Sequence, residues 1–210
     1  MSLKTLDVNL LREKFGSRIL LHPYPKPYPD NPYGTKAILL GCDPSNNHCH
    51  DFRYVFALQS SHPKFKQFKS RWMKNLEAIG LSWNTVYIQN LCRNYFTEES
   101  SKNKIWAEVA ELWIPILKKE LEQFDTNVPV LLTSDLLYKV LLCENAVQRK
   151  ASDFYHCLPE VTVPIPSEYN KLCRPLIPFY RHYRYDITAK TNEPYKKAVE
   201  KIIHAPRLVY

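Results

Sequence analysis

The sequence predicts an α/β fold: a single domain whose mainly parallel central β-sheet is flanked by helices on both faces. Three observations carry this. Short runs rich in apolar and β-branched residues, at Ala37–Leu40, Asn84–Asn90 and Pro129–Thr133, read as strands. Segments with helical spacing lie between them, the alternation that a parallel sheet requires. Apolar residues make up 45% of the 210 residues, enough to build a real core.

The chain opens on a short amphipathic pattern, Leu6, Leu10, Leu11 and Phe15, which Gly16 stops. His22–Pro29 then alternates proline with tyrosine and lysine, and Asn31–Gly34 closes the stretch. Such a segment is extended and stiff. It reads as a rigid loop with its tyrosine rings packed on the core, or alternatively as a peptide ligand or the wall of a groove. Residues 1–34 are thus an N-terminal helix and a Pro/Tyr-rich arm, and residues 35–210 form the α/β domain.

His62–Ile79 places Phe65, Phe68, Trp72, Leu76 and Ile79 on one helical face, with lysines and Arg71 largely elsewhere, and Gly80 ends it. Leu91–Phe96 reads as a loop after the second strand. Lys102–Phe124 is a long helical pattern that Pro115 should kink or split. Ser134 has the chemistry of an N-cap for a helix over Asp135–Leu142. Residues 143–171 show no clear period. Leu172–Pro178 holds a last strand and Asn192–His204 a last helix.

Lysine and arginine number 29 against 21 acids, a net charge of +8 that favours an anionic partner, nucleic acid being the commonest. No run of eighteen apolar residues and no signal peptide is present, so the expected setting is cytoplasmic, with no membrane partner. The six cysteines form no C-x-x-C pair, which argues against a zinc ribbon and for reduced thiols. Neither a metal nor another cofactor is expected, and the chain is read as a monomer.

The stretch richest in chemistry is Lys36–Leu58. Its strand ends at Gly41, and Cys42-Asp43-Pro44-Ser45 follows. Ligands of open α/β sheets bind at that end of the strands. Gly41 frees the backbone and Pro44 fixes it, so Asp43 stands on a stiff turn where a carboxylate can orient water or steady a cation. A plain Asx-turn is the simpler reading of the same residues.

This stretch resembles the first active-site motif of the uracil-DNA glycosylase superfamily, in which a strand ends in Gly-x-Asp-Pro and an aromatic residue follows at a fixed distance. Phe56 stands at that distance. Asn84–Asn90 is similar to the strand whose terminal asparagine reads the base. The Lys102–Phe124 helix and the strand after it match the family's order of elements. Phe179–Arg184 falls where the family places a histidine loop that enters the DNA groove, and Ala189–Glu193 leads into the last helix as in the classical enzymes. The resemblance spans roughly residues 35 to 203.

The resemblance implies a monofunctional DNA glycosylase that excises uracil or another damaged base. A base swung out of the stack needs a pocket. Phe56 would be its aromatic platform, Asn90 the amide on the base edge, and Cys42 and Ser45 further parts of the wall. Asp43 would stabilise an oxocarbenium ion and position water. His182 would stabilise the leaving base, while Arg181, Tyr183 and Arg184 would meet single- or double-stranded DNA. Two departures stand out. Ser45 replaces the tyrosine that follows Asp-Pro in the classical uracil enzymes, which leaves room for thymine or a larger base. Arg181-His182-Tyr183-Arg184 replaces the His-Pro-Ser-Pro loop. A catalytically altered DNA-binding module and a hydrolase of small nucleosides or nucleotides are the competing expectations.

Overall fold

The computed structural model describes residues 6–44, 52–61, 63–180 and 182–205. Among these, six helices and six strands run in the order α1 Val8–Phe15, β1 Ile19–Leu20, β2 Ala37–Gly41, α2 Pro63–Glu77, β3 Val86–Asn90, β4 Tyr95–Phe96, α3 Trp106–Leu121, β5 Val130–Leu132, α4 Asp135–Leu141, α5 Ala151–Tyr155, β6 Leu176–Pro178 and α6 Glu193–Ile203. The main sheet has four strands in the order β3-β2-β5-β6, and every neighbouring pair is parallel. No described helix is long and apolar enough to cross a membrane.

Strand β2 is central because it can be. Ala37, Ile38, Leu39 and Leu40 are fully buried, so both of its faces demand cover. Side chains alternate along a strand. On β3, Tyr87 and Gln89 reach one face, where both donate hydrogen bonds to Glu120 of α3. Asn90 therefore belongs to the opposite face, with the Phe56 ring and, 6.0 Å beyond it, the Trp72 ring of α2. Helices cover the sheet from both sides.

Register puts the chemistry together. Gly41, the last residue of β2, pairs with Asn90, the last residue of β3. The ladder continues one step further, with Leu91 N–H donating to Gly41 O at 2.8 Å and Cys92 N–H to Cys42 O at 2.9 Å. The turn carrying Cys42 and Asp43 is thereby tied to the neighbouring strand.

The arm is part of this architecture. Tyr28 exchanges both backbone hydrogen bonds with Ile88, at 3.0 and 2.7 Å, and so covers the outer edge of β3. Lys26 bonds in the same way to the segment 53–55, accepting from Val55 N–H and donating to Arg53 O, both at 2.9 Å. Tyr24 packs edge-on against Trp113 and donates its hydroxyl to Leu6 O at 2.9 Å. The rings of Tyr24 and Tyr28 are packed against the core, whereas Tyr33 is 92% exposed.

Several elements differ from the sequence reading. Residues Trp83–Thr85 form a 3₁₀ turn, so the second strand starts only at Val86. Tyr95–Phe96, read as loop, pairs antiparallel with Ile19–Leu20. The long helix begins at Trp106, and it runs through Pro115, whose ring faces solvent. Leu10 lies on the exposed side of α1 and leaves burial to Leu11 and Phe15. Ser134 caps α4, its Oγ accepting from Leu137 N–H at 3.3 Å.

Candidate active site

A cavity of about 590 Å³ opens at the C-terminal edge of the sheet, where β2, β3 and β5 end. Gly41, Cys42 and Asp43 form its floor with Asn90, Thr133 and Ser134. Aromatic side chains line another wall: Phe52, Phe56, Phe65, Phe68 and Trp72. Pro25 of the arm also borders it. Floor groups with fixed polar atoms and a broad apolar wall are what a planar heterocycle requires.

Asp43 is gripped from α3. Trp106, itself buried, donates its indole N–H to Asp43 Oδ1 at 2.9 Å. The crowding of protein around the carboxylate pushes its pKa up to about 7, while hydrogen bonds from Trp106 and Ser100 pull the other way. Burial therefore wins over donation. A carboxyl group poised near neutrality can take a proton from water, which an ordinary aspartate with a pKa near 4 does poorly.

Phe56 is held in a strained backbone. Its φ is 59°, and Ala57 and Gln59 follow at 52° and 72°. Left-handed conformations of this kind cost on the order of 1 kcal/mol each in residues other than glycine. The two bonds of Lys26 on either side of Tyr54 hold the approach to this turn in place. The result presents the ring beside Gly41, where an added Cβ would fall 2.8 Å from it.

Asn90 is 3% exposed, and its Oδ1 would lie 2.3 Å from a Cβ at position 41. Its backbone N–H donates to Gln89 Oε1 at 2.9 Å. Gln89 Nε2 in turn donates to Glu120 Oε1 at 2.9 Å, and Tyr87 and Arg93 close on the same carboxylate. A buried ion pair with neutral donors thus anchors the strand end that carries Asn90. On the other side of the floor, Cys42 Sγ and Ser134 Oγ share a hydrogen bond at 2.9 Å.

Four of the residues singled out in the sequence therefore meet in one cavity: Cys42, Asp43, Phe56 and Asn90. His182 does not join them. It is exposed, and its Nδ1 accepts from Arg184 N–H at 3.3 Å. Arg184 is exposed as well, beside the 3₁₀ turn Tyr183–Tyr185. Ser45, Arg181 and the side chain of Tyr183 lie outside the described residues. No group of three or more His, Cys, Asp or Glu is placed to hold a metal ion among the described residues, and none of their cysteines forms a disulfide.

Sequence reasoning missed Trp106, Ser100, Ser134 and Asp135 as parts of the site. Nothing local marks Trp106, because its contact with Asp43 spans 63 positions. Ser134 did carry a signal: it follows the third strand directly, so its position at the C-terminal edge was implied by the sheet.

Fold and site define an α/β protein with an aromatic-walled cavity and a tuned carboxylate at the C-terminal edge of a parallel sheet. Comparison of the sequence with protein-family models and with curated proteins finds no significant match.

Proposed function

We propose that this protein hydrolyses the N-glycosidic bond of uracil or another damaged base in DNA. The observation that supports the reading most is the convergence of Asp43, Phe56 and Asn90 on one cavity, with Asp43 near neutral pKa. In this reading the target nucleotide is swung out and its base stacks on Phe56. The Asn90 amide, which can donate and accept, pairs with the base edge. Asp43 takes a proton from a water as that water's oxygen bonds to the sugar's anomeric carbon. The carbon–nitrogen bond breaks, its electron pair stays on the base, and the base is protonated by solvent.

The basic surplus of the chain suits a polyanionic substrate. Arg181, His182, Tyr183 and Arg184 belong to the DNA side of this scheme, since His182 and Arg184 face solvent rather than the cavity. His182 then contributes to binding more than to departure of the base.

Single-turnover base release tests the proposal. Oligonucleotides with uracil, hypoxanthine, xanthine or mismatched thymine are incubated with protein and then treated with alkali. Wild type should cleave at one lesion or more, and Asp43→Asn should be slower by roughly a hundredfold, the loss expected for one preorganised electrostatic group. Cleavage of free nucleosides alone would move the assignment to a small-molecule hydrolase. No release from any substrate would leave the DNA-binding module.

A further inference from the structure

We propose that a basic recess beside the cavity holds a backbone phosphate of the DNA strand whose nucleotide enters the cavity. This rests on the reading above and adds a site to it. The recess has a volume of about 510 Å³ and is lined by Asp135, Lys139, Gln148, Arg149, Lys150, Ala151 and Tyr185. Asp135 also lines the cavity, so the two hollows adjoin at that residue.

The charges in the recess do not cancel. Lys139 Nζ pairs with Asp135 Oδ2 at 2.6 Å, which occupies the recess's own carboxylate. Arg149 and Lys150 remain as surplus cations. Arg149 is placed by two neutral contacts: its backbone N–H donates to Tyr138 Oη at 2.7 Å, and its guanidinium to Glu160 O at 3.4 Å. Its charge is thus oriented without being neutralised. A further carboxylate, Asp153, stands beside the recess and accepts from Lys150 N–H at 2.9 Å and from the Ser152 hydroxyl at 3.2 Å; these neutral donors leave its charge in place, so Lys139, Arg149 and Lys150 outnumber Asp135 and Asp153 by one.

Position selects a phosphodiester over a free anion. The recess adjoins the cavity at Asp135 and the 182–184 segment at Tyr185, whose ring centroid lies 6.0 Å from that of His182. Cavity, recess and loop form one margin along which a strand can run. A guanidinium fork recognises phosphate oxygens in pairs, and an ammonium adds a point charge.

Fluorescence anisotropy on a lesion-free oligonucleotide over a range of salt tests the site. Arg149→Gln with Lys150→Gln should weaken binding at least tenfold at low salt. It should also reduce the log–log salt slope by about 0.7 to 0.9 for each phosphate that is no longer neutralised. Lys118→Gln with Lys119→Gln, at the far end of α3, should leave both unchanged. Thermal melts of each variant check folding, and Arg149→Glu with Lys150→Glu should weaken binding further. Wild-type affinity and slope in the recess variants would overturn the site while leaving base release, and the glycosylase reading, intact. Salt-sensitive binding that depends on the recess but without base release would uphold the site and remove the glycosylase. A wild type that binds no DNA would overturn the site as well.

Discussion

Gly41 and Asn90 stand opposite each other at the ends of neighbouring strands, so close that a methyl group on Gly41 would fall 2.3 Å from Asn90 Oδ1. The same methyl would meet the Phe56 ring at 2.8 and 2.9 Å. The glycine is therefore needed for space: it lets an amide and an aromatic ring approach one backbone. Gly41→Ala should displace both groups. Overpacking of this kind costs about 1 to 3 kcal/mol, readable as a lower urea midpoint. Base release should fall at least tenfold, because the platform and the amide move together. Unchanged stability and rate would mean that the three groups are not packed as described.

Asp43 makes the fold less stable as pH rises. Its pKa lies at about 7 in the folded chain and near 3.8 in the unfolded one. Between these values the folded state holds a proton that the unfolded state has lost. Stability from this group is therefore fully present below about pH 4 and declines as pH rises to about 7, by up to about 4 kcal/mol. Asp43→Asn removes the ionisation. The variant should be more stable than wild type above pH 7 although under the proposed chemistry it should release base far more slowly, and urea unfolding at pH 5 and pH 8 can establish the stability. A wild type with equal stability at both pH values would exclude the raised pKa.

How far the sequence revealed this site depended on the range of the interactions. Gly41, Asp43 and Asn90 were legible because each stands at a strand end, and parallel pairing brings strand ends to one edge. Phe56 is picked out only through the resemblance of Lys36–Leu58 to a known motif, and its left-handed backbone was not legible. Trp106 was hidden: as a residue in a helical pattern it reads as core, which it also is. The Tyr95–Phe96 strand was hidden for a different reason. Two residues carry no period, and its partner Ile19–Leu20 is far away in the chain. Proline at position 115 does not split α3, because its propensity against helix is local, while α3 is held by buried Trp113, Ile114, Leu117 and Leu121 around it.

The buried carboxylate of Glu120 should be the most sensitive point of the core outside the cavity. Arg93 faces it as the only charged partner among the described residues, and both are under a tenth exposed. Arg93→Met would leave a charge among apolar groups, with only Tyr87 and Gln89 donating to it. Breaking such a pair costs about 3 to 5 kcal/mol. Chemical unfolding of the variant measures it directly. A loss below about 1 kcal/mol would show that the two neutral donors suffice.

Trp106 tunes the carboxylate that the proposed chemistry uses, and this can be separated from its role in packing. Its indole N–H is the largest influence holding the Asp43 pKa down against burial. Trp106→Phe keeps a large aromatic side chain at the first turn of α3 but deletes the donor. The unionised carboxyl group then gains ground, and the pKa must rise. If Asp43 is the base, base release in wild type should increase with pH through about 7 and then level. In Trp106→Phe the rising limb should move to higher pH, with the plateau rate approached only in alkaline solution. A merely structural role would lower the rate by the same factor at every pH. The measurement is a single-turnover pH profile of both proteins on whichever lesion proves active. An unshifted limb in the variant would detach Trp106 from the ionisation of Asp43.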